Sequence, residues 1–288
     1  MNIRRSSATL QRRWDKMAEK ALLLDMEKCI ACRACQVACK QWNELPAEKT
    51  TFFAAAGGYQ NPIGLSPSTY TLVKFNEMQE GDKLRWLFRV HRCMQCVDPA
   101  CVKACPVTPV KAMTHVKETG AIYVNRELCI GCGACREYCP FTIPVIDTEA
   151  EKSTKCTFCF DRTGNGLEPA CAKACPTDCL VFGDRDKILE MAHKAMERLK
   201  KKGRHPVIYG EKELGTGTKK VFVLPEPLDL YPDLPKDPKV SEDLGLFHEL
   251  LKPFGTLTLT AALVGIVLGK VKEVKDKKDS LVSKTEEG

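Results

Sequence analysis

The stretch that most constrains this chain is Cys129-Ile130-Gly131-Cys132-Gly133-Ala134-Cys135-Arg136-Glu137-Tyr138-Cys139-Pro140. It reads C-x2-C-x2-C-x3-C-P, a ligand pattern for a [4Fe–4S] cubane. Three closely spaced thiolates hold three corners of one cluster. The fourth, after a wider gap and before a proline, serves a neighbouring cluster. One such run therefore implies another, and three more are present. They are Cys29-x2-Cys32-x2-Cys35-x3-Cys39, Cys93-x2-Cys96-x4-Cys101-x3-Cys105-Pro106 and Cys156-x2-Cys159-x11-Cys171-x3-Cys175-Pro176. Together the motifs use every cysteine except Cys179, which reads as a small buried hydrophobe.

An odd total of 17 cysteines fits a disulfide framework poorly. Structural zinc uses two separated C-x2-C pairs per site, whereas the triplets Cys29/Cys32/Cys35 and Cys129/Cys132/Cys135 suit a cubane. The formal charge of +7 suggests nucleic acid, but four thiolate-bound clusters at about −2 each would cancel it. We therefore expect four [4Fe–4S] clusters and no nucleic-acid partner. Four clusters make a relay for single electrons. No catalytic constellation is visible, and His91, His115, His193, His205 and His248 show no metal or triad spacing.

The motifs alternate in kind. Leu24-Asp25-Met26-Glu27-Lys28-Cys29-Ile30 parallels Val124-Asn125-Arg126-Glu127-Leu128-Cys129-Ile130. Pro99-Ala100-Cys101-Val102-Lys103-Ala104-Cys105-Pro106 parallels Pro169-Ala170-Cys171-Ala172-Lys173-Ala174-Cys175-Pro176. A two-motif unit is thus duplicated. The expected fold is α+β: two ferredoxin-like two-cluster units with hairpin insertions, plus one C-terminal transmembrane helix. Spacing leaves the pairing open. Motif two can pair with three, from which 23 residues separate it, leaving one with four; or one pairs with two and three with four.

In chain order, residues 1–20 form a basic arm without the apolar run of a secretory signal. Residues 21–182 are the cluster region, starting with a buried strand at 21–26 and interrupted by an insertion at 46–92. Within it, 46–69 is a loop, and hairpins surround Gly81-Asp82 and Gly120. Residues 183–224 supply a helix from Arg185 to Lys201, capped by Asp184, and strands at 207–209 and 221–224. Proline-rich residues 225–243 are expected to be stiff and extended. Residues 244–270 are expected to form a membrane-anchoring helix. The uncharged stretch 253–269 would span about 26 Å against a hydrocarbon core of about 30 Å. The tail, 271–288, is rich in lysine, which by the positive-inside rule puts the C-terminus in the cytoplasm and the clusters on the periplasmic side.

The four motifs resemble the iron–sulfur subunits of molybdenum or tungsten oxidoreductases. Further stretches resemble the beta subunits of membrane-bound formate dehydrogenases: Cys39-Lys40-Gln41-Trp42-Asn43, Val73-Lys74-Phe75-Asn76-Glu77, Cys139-Pro140-Phe141-Thr142-Ile143-Pro144, Gly166-Leu167-Glu168-Pro169-Ala170-Cys171 and Leu234-Pro235-Lys236-Asp237-Pro238. The resemblance covers about residues 20–270. It implies a non-catalytic subunit that takes electrons from a molybdopterin catalytic subunit and passes them to a membrane cytochrome b that reduces quinone. It also implies four ligand sets: Cys29, Cys32, Cys35 and Cys175; Cys39, Cys156, Cys159 and Cys171; Cys93, Cys96, Cys101 and Cys139; and Cys105, Cys129, Cys132 and Cys135. Lys40 departs from the proline that follows the last cysteine of the other three motifs. A rival is the same relay wired to a polysulfide, tetrathionate or dimethyl sulfoxide reductase or to a hydrogenase.

Overall fold

A computed structural model of the chain describes residues 19–50 and 59–241. The chain divides into two units, Met1–Val240 and Ser241–Gly288. The basic arm up to residue 18, the expected membrane helix and the tail lie outside the described residues. Among the described residues no helix is long and apolar enough to cross a membrane.

The strands are β1 (Lys20–Asp25), β2 (Thr71–Glu80), β3 (Lys83–Arg92), β4 (Met113–His115), β5 (Ile122–Val124), β6 (Val145–Asp147), β7 (Lys152–Thr154), β8 (Leu180–Asp184), β9 (Val207–Tyr209) and β10 (Lys220–Leu224). The helices are α1 (Ala34–Trp42), α2 (Ala100–Ala104), α3 (Ala134–Glu137), α4 (Phe160–Thr163), α5 (Ala170–Lys173) and α6 (Arg185–Lys201). The content is α+β, as expected.

The organising sheet has the order β8-β1-β10-β9. β1 pairs parallel with β10, Leu22 opposite Lys220, and antiparallel with β8. Both faces of β1 are covered, which is why Ala-Leu-Leu-Leu is a continuous apolar run. The side chains of a strand alternate between its faces. Ala21 and Leu23, with Val221 and Val223, pack on Ile188, Ala192, Ala195 and Leu199 of α6. Leu22 and Leu24, with Phe222 and Leu224, face a core that contains Cys35, Phe158, Cys171 and Cys179. The sheet thus separates α6 from the cysteine loops.

α6 begins where expected, but the Asp184 side chain makes no capping bond. The β1–β8 register places Lys20 opposite Asp184, and the Lys20 ammonium takes its carboxylate. The helix was legible because apolar residues recur every three to four positions.

β2 and β3 form a ten-residue ribbon around Gly81, whose φ of 59° suits the turn. Tyr59, Phe75, Trp86 and Phe88 pack along it edge to face or stacked. Its last residue, Arg92, runs directly into Cys93. The expected hairpin around Gly120 is present as β4–β5. Residues 225–238 differ from the extended segment expected. They contain a 3-10 turn at Leu228–Leu230, and Tyr231 and Leu234 are buried. Two acidic residues hold this segment down: Asp233 pairs with Lys74 and Arg89, and Glu226 with Arg85 and Arg204. Apolar anchors and ion pairs here overrule the stiffness of proline.

Candidate metal centres

Each motif is built from a loop followed by a helix. In motifs one and three the third and fourth cysteines lie on or just after α1 and α3. In motifs two and four a proline, Pro99 or Pro169, precedes α2 or α5, which carry Cys101 and Cys171. The sequence duplication is therefore a structural one.

The C-x2-C loops carry left-handed residues: Ala31 and Arg33 in motif one, Gln95 in two, Gly131 and Gly133 in three, and Phe158 and Cys159 in four. Alternating left- and right-handed backbone turns successive N–H groups inward, and the resulting concavities hold anions, iron–sulfur centres included. At Gly131 (φ 68°) a side chain would also sit 2.5 Å from the Glu151 carbonyl oxygen.

The thiols ring spaces instead of meeting at a point. A small cavity is lined by Cys105, Cys129, Cys132 and Cys135. A second is lined by Cys93, Cys96, Cys101 and Cys139. Each has three thiols from one motif and the fourth from the other. The remaining thiols lie in one another's fields. Cys35 lies in the field of Cys171, Cys29 and Cys175. Cys39 feels Cys156 and Cys171, as does Cys159. Cys32 is exposed on its loop, as Cys132 is on the equivalent loop. Among the described residues no three Cys, His, Asp or Glu converge tightly enough for a single metal ion.

Burial opposes free thiolates here. It pushes Cys35, Cys101 and Cys159 up to about 12 and Cys139 up to about 11. Cys156 departs from this pattern. Its burial is opposed by Lys220, Arg92, the Phe158 main chain and Lys155, which together hold it below the ordinary thiol value. Several sulfurs already accept hydrogen bonds. The Arg92 guanidinium donates to Cys171 Sγ at 2.9 Å, Ser153 N to Cys129 Sγ at 3.3 Å, and Gln95 N to Cys93 Sγ at 3.5 Å.

The thiol-lined interior also contains buried cations with donor nitrogens left free. Arg92 Nε and Nη2 and Lys220 Nζ are enclosed and make no hydrogen bond. Such groups call for an anion beside them. A [4Fe–4S] group with four thiolates is an anion of suitable size, so the donor set fits it.

Sequence reasoning missed three features. Cys179 is buried, as expected, but it lies beside two motif cysteines, and its thiol holds Cys29 down to about 7 and Cys175 down to about 4. Gln95, fully buried, ties motif two to β5 and motif four. Lys40, at the position where the other motifs have proline, anchors the insertion, donating to the Pro46 and Ser68 carbonyls and pairing with Glu48. Two of the histidines have ordinary surroundings: His193 pairs with Glu211 at the surface, and burial beside Arg89 and Lys74 pushes His91 down to about 3; His248 lies outside the described residues.

Comparison with known proteins agrees with this architecture. A 4Fe-4S dicluster domain matches residues 84–185, and a 4Fe-4S binding domain matches residues 26–42. The chain is 39% identical over 270 residues to the iron–sulfur subunit of the nitrate-inducible formate dehydrogenase of Escherichia coli (strain K12), covering 91% of this chain and 90% of that one. It is 36% identical over 260 residues to the formate dehydrogenase iron–sulfur subunit of Haemophilus influenzae, covering 89% and 80%. It is 32% identical over 213 residues to a polysulfide reductase component of Wolinella succinogenes, covering 73% and 96%.

Proposed function

We propose a function from one premise: the chain belongs to the family of formate dehydrogenase iron–sulfur subunits. It is an electron-transfer subunit and not itself a catalyst. Sixteen motif cysteines hold four [4Fe–4S] clusters in the sets 29/32/35/175, 39/156/159/171, 93/96/101/139 and 105/129/132/135. Bound there, such clusters accept and release single electrons.

What supports the reading is where the exposed cysteines and the buried cations lie relative to these sets. The two sets containing Cys32 and Cys132 each reach the surface through that cysteine, beside exposed Ile30 and Ile130. The other two sets contain no exposed cysteine. Arg92 lies between the first and second sets, acting on Cys35 and Cys171. Lys155 lies between the second and third, acting on Cys156, Cys93 and Cys101. A line of four stations with two open ends is what a relay between two partners needs.

By this reading the donor is a molybdopterin catalytic subunit oxidising formate, and the acceptor is a membrane cytochrome b linked to quinone. Residues 244–270 anchor the chain, with the clusters on the periplasmic side and the tail in the cytoplasm. The support for anchoring is the uncharged run 253–269 between Lys252 and Lys270. The relative in polysulfide reductase supports the same relay role with another terminal enzyme as the rival. Purifying the chain with its accompanying subunits and adding formate tests the assignment. Formate should reduce the clusters without added mediator. Reduction by a sulfur substrate couple in place of formate would favour the rival.

A further inference from the structure

The buried cations of this molecule are not shared evenly among the four thiol sets. Lys220 is on β10, on the same face as Phe222 and Leu224, so it points into the cysteine core and away from α6. Its ammonium lies 3.9 Å from the centre of the Phe158 ring, in the loop between Cys156 and Cys159, and makes no hydrogen bond. Arg92, at the end of β3, donates to Cys171 and leaves two guanidinium nitrogens without partners. Both side chains are fully buried. Both act on Cys156 and Cys171, members of one set, and Arg92 acts in addition on Cys35 of the neighbouring set.

The other sets differ. Lys155 is buried too, but its ammonium bonds the Ile122 and Cys156 carbonyls, and its field falls on Cys93, Cys101 and Cys139 as well as Cys156. Lys219, which acts on Cys96 and Cys93, is neutralised by Glu19. Lys152, near Cys129, bonds that residue's carbonyl. Among the described residues the set 39/156/159/171 alone has beside it two fully buried cations, neither paired with a carboxylate; Arg92 Nε and Nη2 and Lys220 Nζ make no hydrogen bond. In a dry interior, positive charge favours the more negative, reduced form of a cluster and raises its potential. Arginine remains charged at any working pH.

Resting on the four-cluster reading above, we propose that Arg92 and Lys220 make the centre held by Cys39, Cys156, Cys159 and Cys171 the highest in potential of the four. It is then the station where an electron waits, second in line from the Cys32 end. Arg92 and Lys220 are positioning residues that act through this centre and do not transfer electrons themselves.

The test is a potentiometric titration of the full chain, purified anaerobically with its accompanying subunits and followed by electron paramagnetic resonance. Cys159→Ser identifies the transition that belongs to this set, and in the native protein that transition should have the highest potential. Arg92→Gln and Lys220→Met should each weaken its reduction about tenfold, about 59 mV for one electron, with a smaller shift of the centre containing Cys35 in Arg92→Gln and the remaining centres near their native positions. Arg92→Lys should restore most of the loss. Should Arg92→Gln lose iron, Lys220→Met, of similar length but uncharged, still decides. The proposal fails if the marked transition is not the highest, if it does not move, or if all four move together. A native protein with fewer than four clusters would instead refute the proposed function.

Discussion

Gln95 and Ile122 exchange two hydrogen bonds: the Gln95 amide donates to the Ile122 carbonyl at 3.0 Å and accepts from the Ile122 N–H at 2.8 Å. The same amide donates to the Cys156 carbonyl at 2.8 Å, and the Gln95 carbonyl receives Lys219 N at 2.9 Å. One residue in a motif-two loop thus mimics a strand partner for β5 while holding motif four and the approach to β10. Replacing it with Leu leaves buried donors and acceptors unpaired, at about 1–3 kcal/mol each. Gln95→Leu should lower unfolding stability by about 3 kcal/mol or more in denaturant titration. A loss below about 1 kcal/mol would mean that water enters and replaces the amide.

The contrast between Gly131 and Gly133 isolates the shape of one cluster loop. Both have positive φ, but a side chain at 131 strikes the Glu151 carbonyl, whereas at 133 it meets nothing within 4 Å. Gly133→Ala should cost about 1–2 kcal/mol of backbone strain and keep its iron. Gly131→Ala must shift the backbone beside Cys129 and Cys132 and should lose about four iron per chain. Equal iron in the two variants would contradict this loop geometry.

Which motif feeds which centre can be read from a single ligand. Cys139→Ser should disturb the centre of Cys93, Cys96 and Cys101, with which Cys139 lines a cavity, and spare that of its own motif. The magnetic signal lost in Cys139→Ser should match that lost in Cys96→Ser, not Cys132→Ser.

Glu48 gives the insertion a pH dependence. Burial would raise its carboxyl, but the Ser66 and Thr69 hydroxyls and the Lys40 ammonium hold it below the usual carboxylate value. A depressed folded-state value contributes stability above the unfolded carboxyl value and loses it as pH falls through the folded one. Glu48→Gln should therefore be less stable than the native chain near neutrality, by about 1 kcal/mol, since the site is part-exposed. The difference should disappear in acid. A gap that persists in acid would place the effect in packing.

Much of this molecule was legible in its cysteines because ligation imposes fixed local spacing. β1, the Gly81 turn and α6 were legible because each carries its own short period. What was not legible has no local signature. The parallel pairing of Leu22 with Lys220 joins strands about two hundred residues apart. Arg92 and Lys220 look like ordinary charges within strand patterns, and only the fold shows them buried beside Cys156. Cys179 lies outside the motif spacing and so gave no hint of its contact with Cys29 and Cys175. Residues 225–238 were misread because proline speaks for stiffness, whereas Tyr231 and Asp233 decide where the segment lies.

The central claim is a four-cluster relay, and iron with acid-labile sulfide, counted per chain in anaerobically purified protein, tests it most directly. The account predicts about sixteen of each. Values near eight, or zinc in their place, would contradict it.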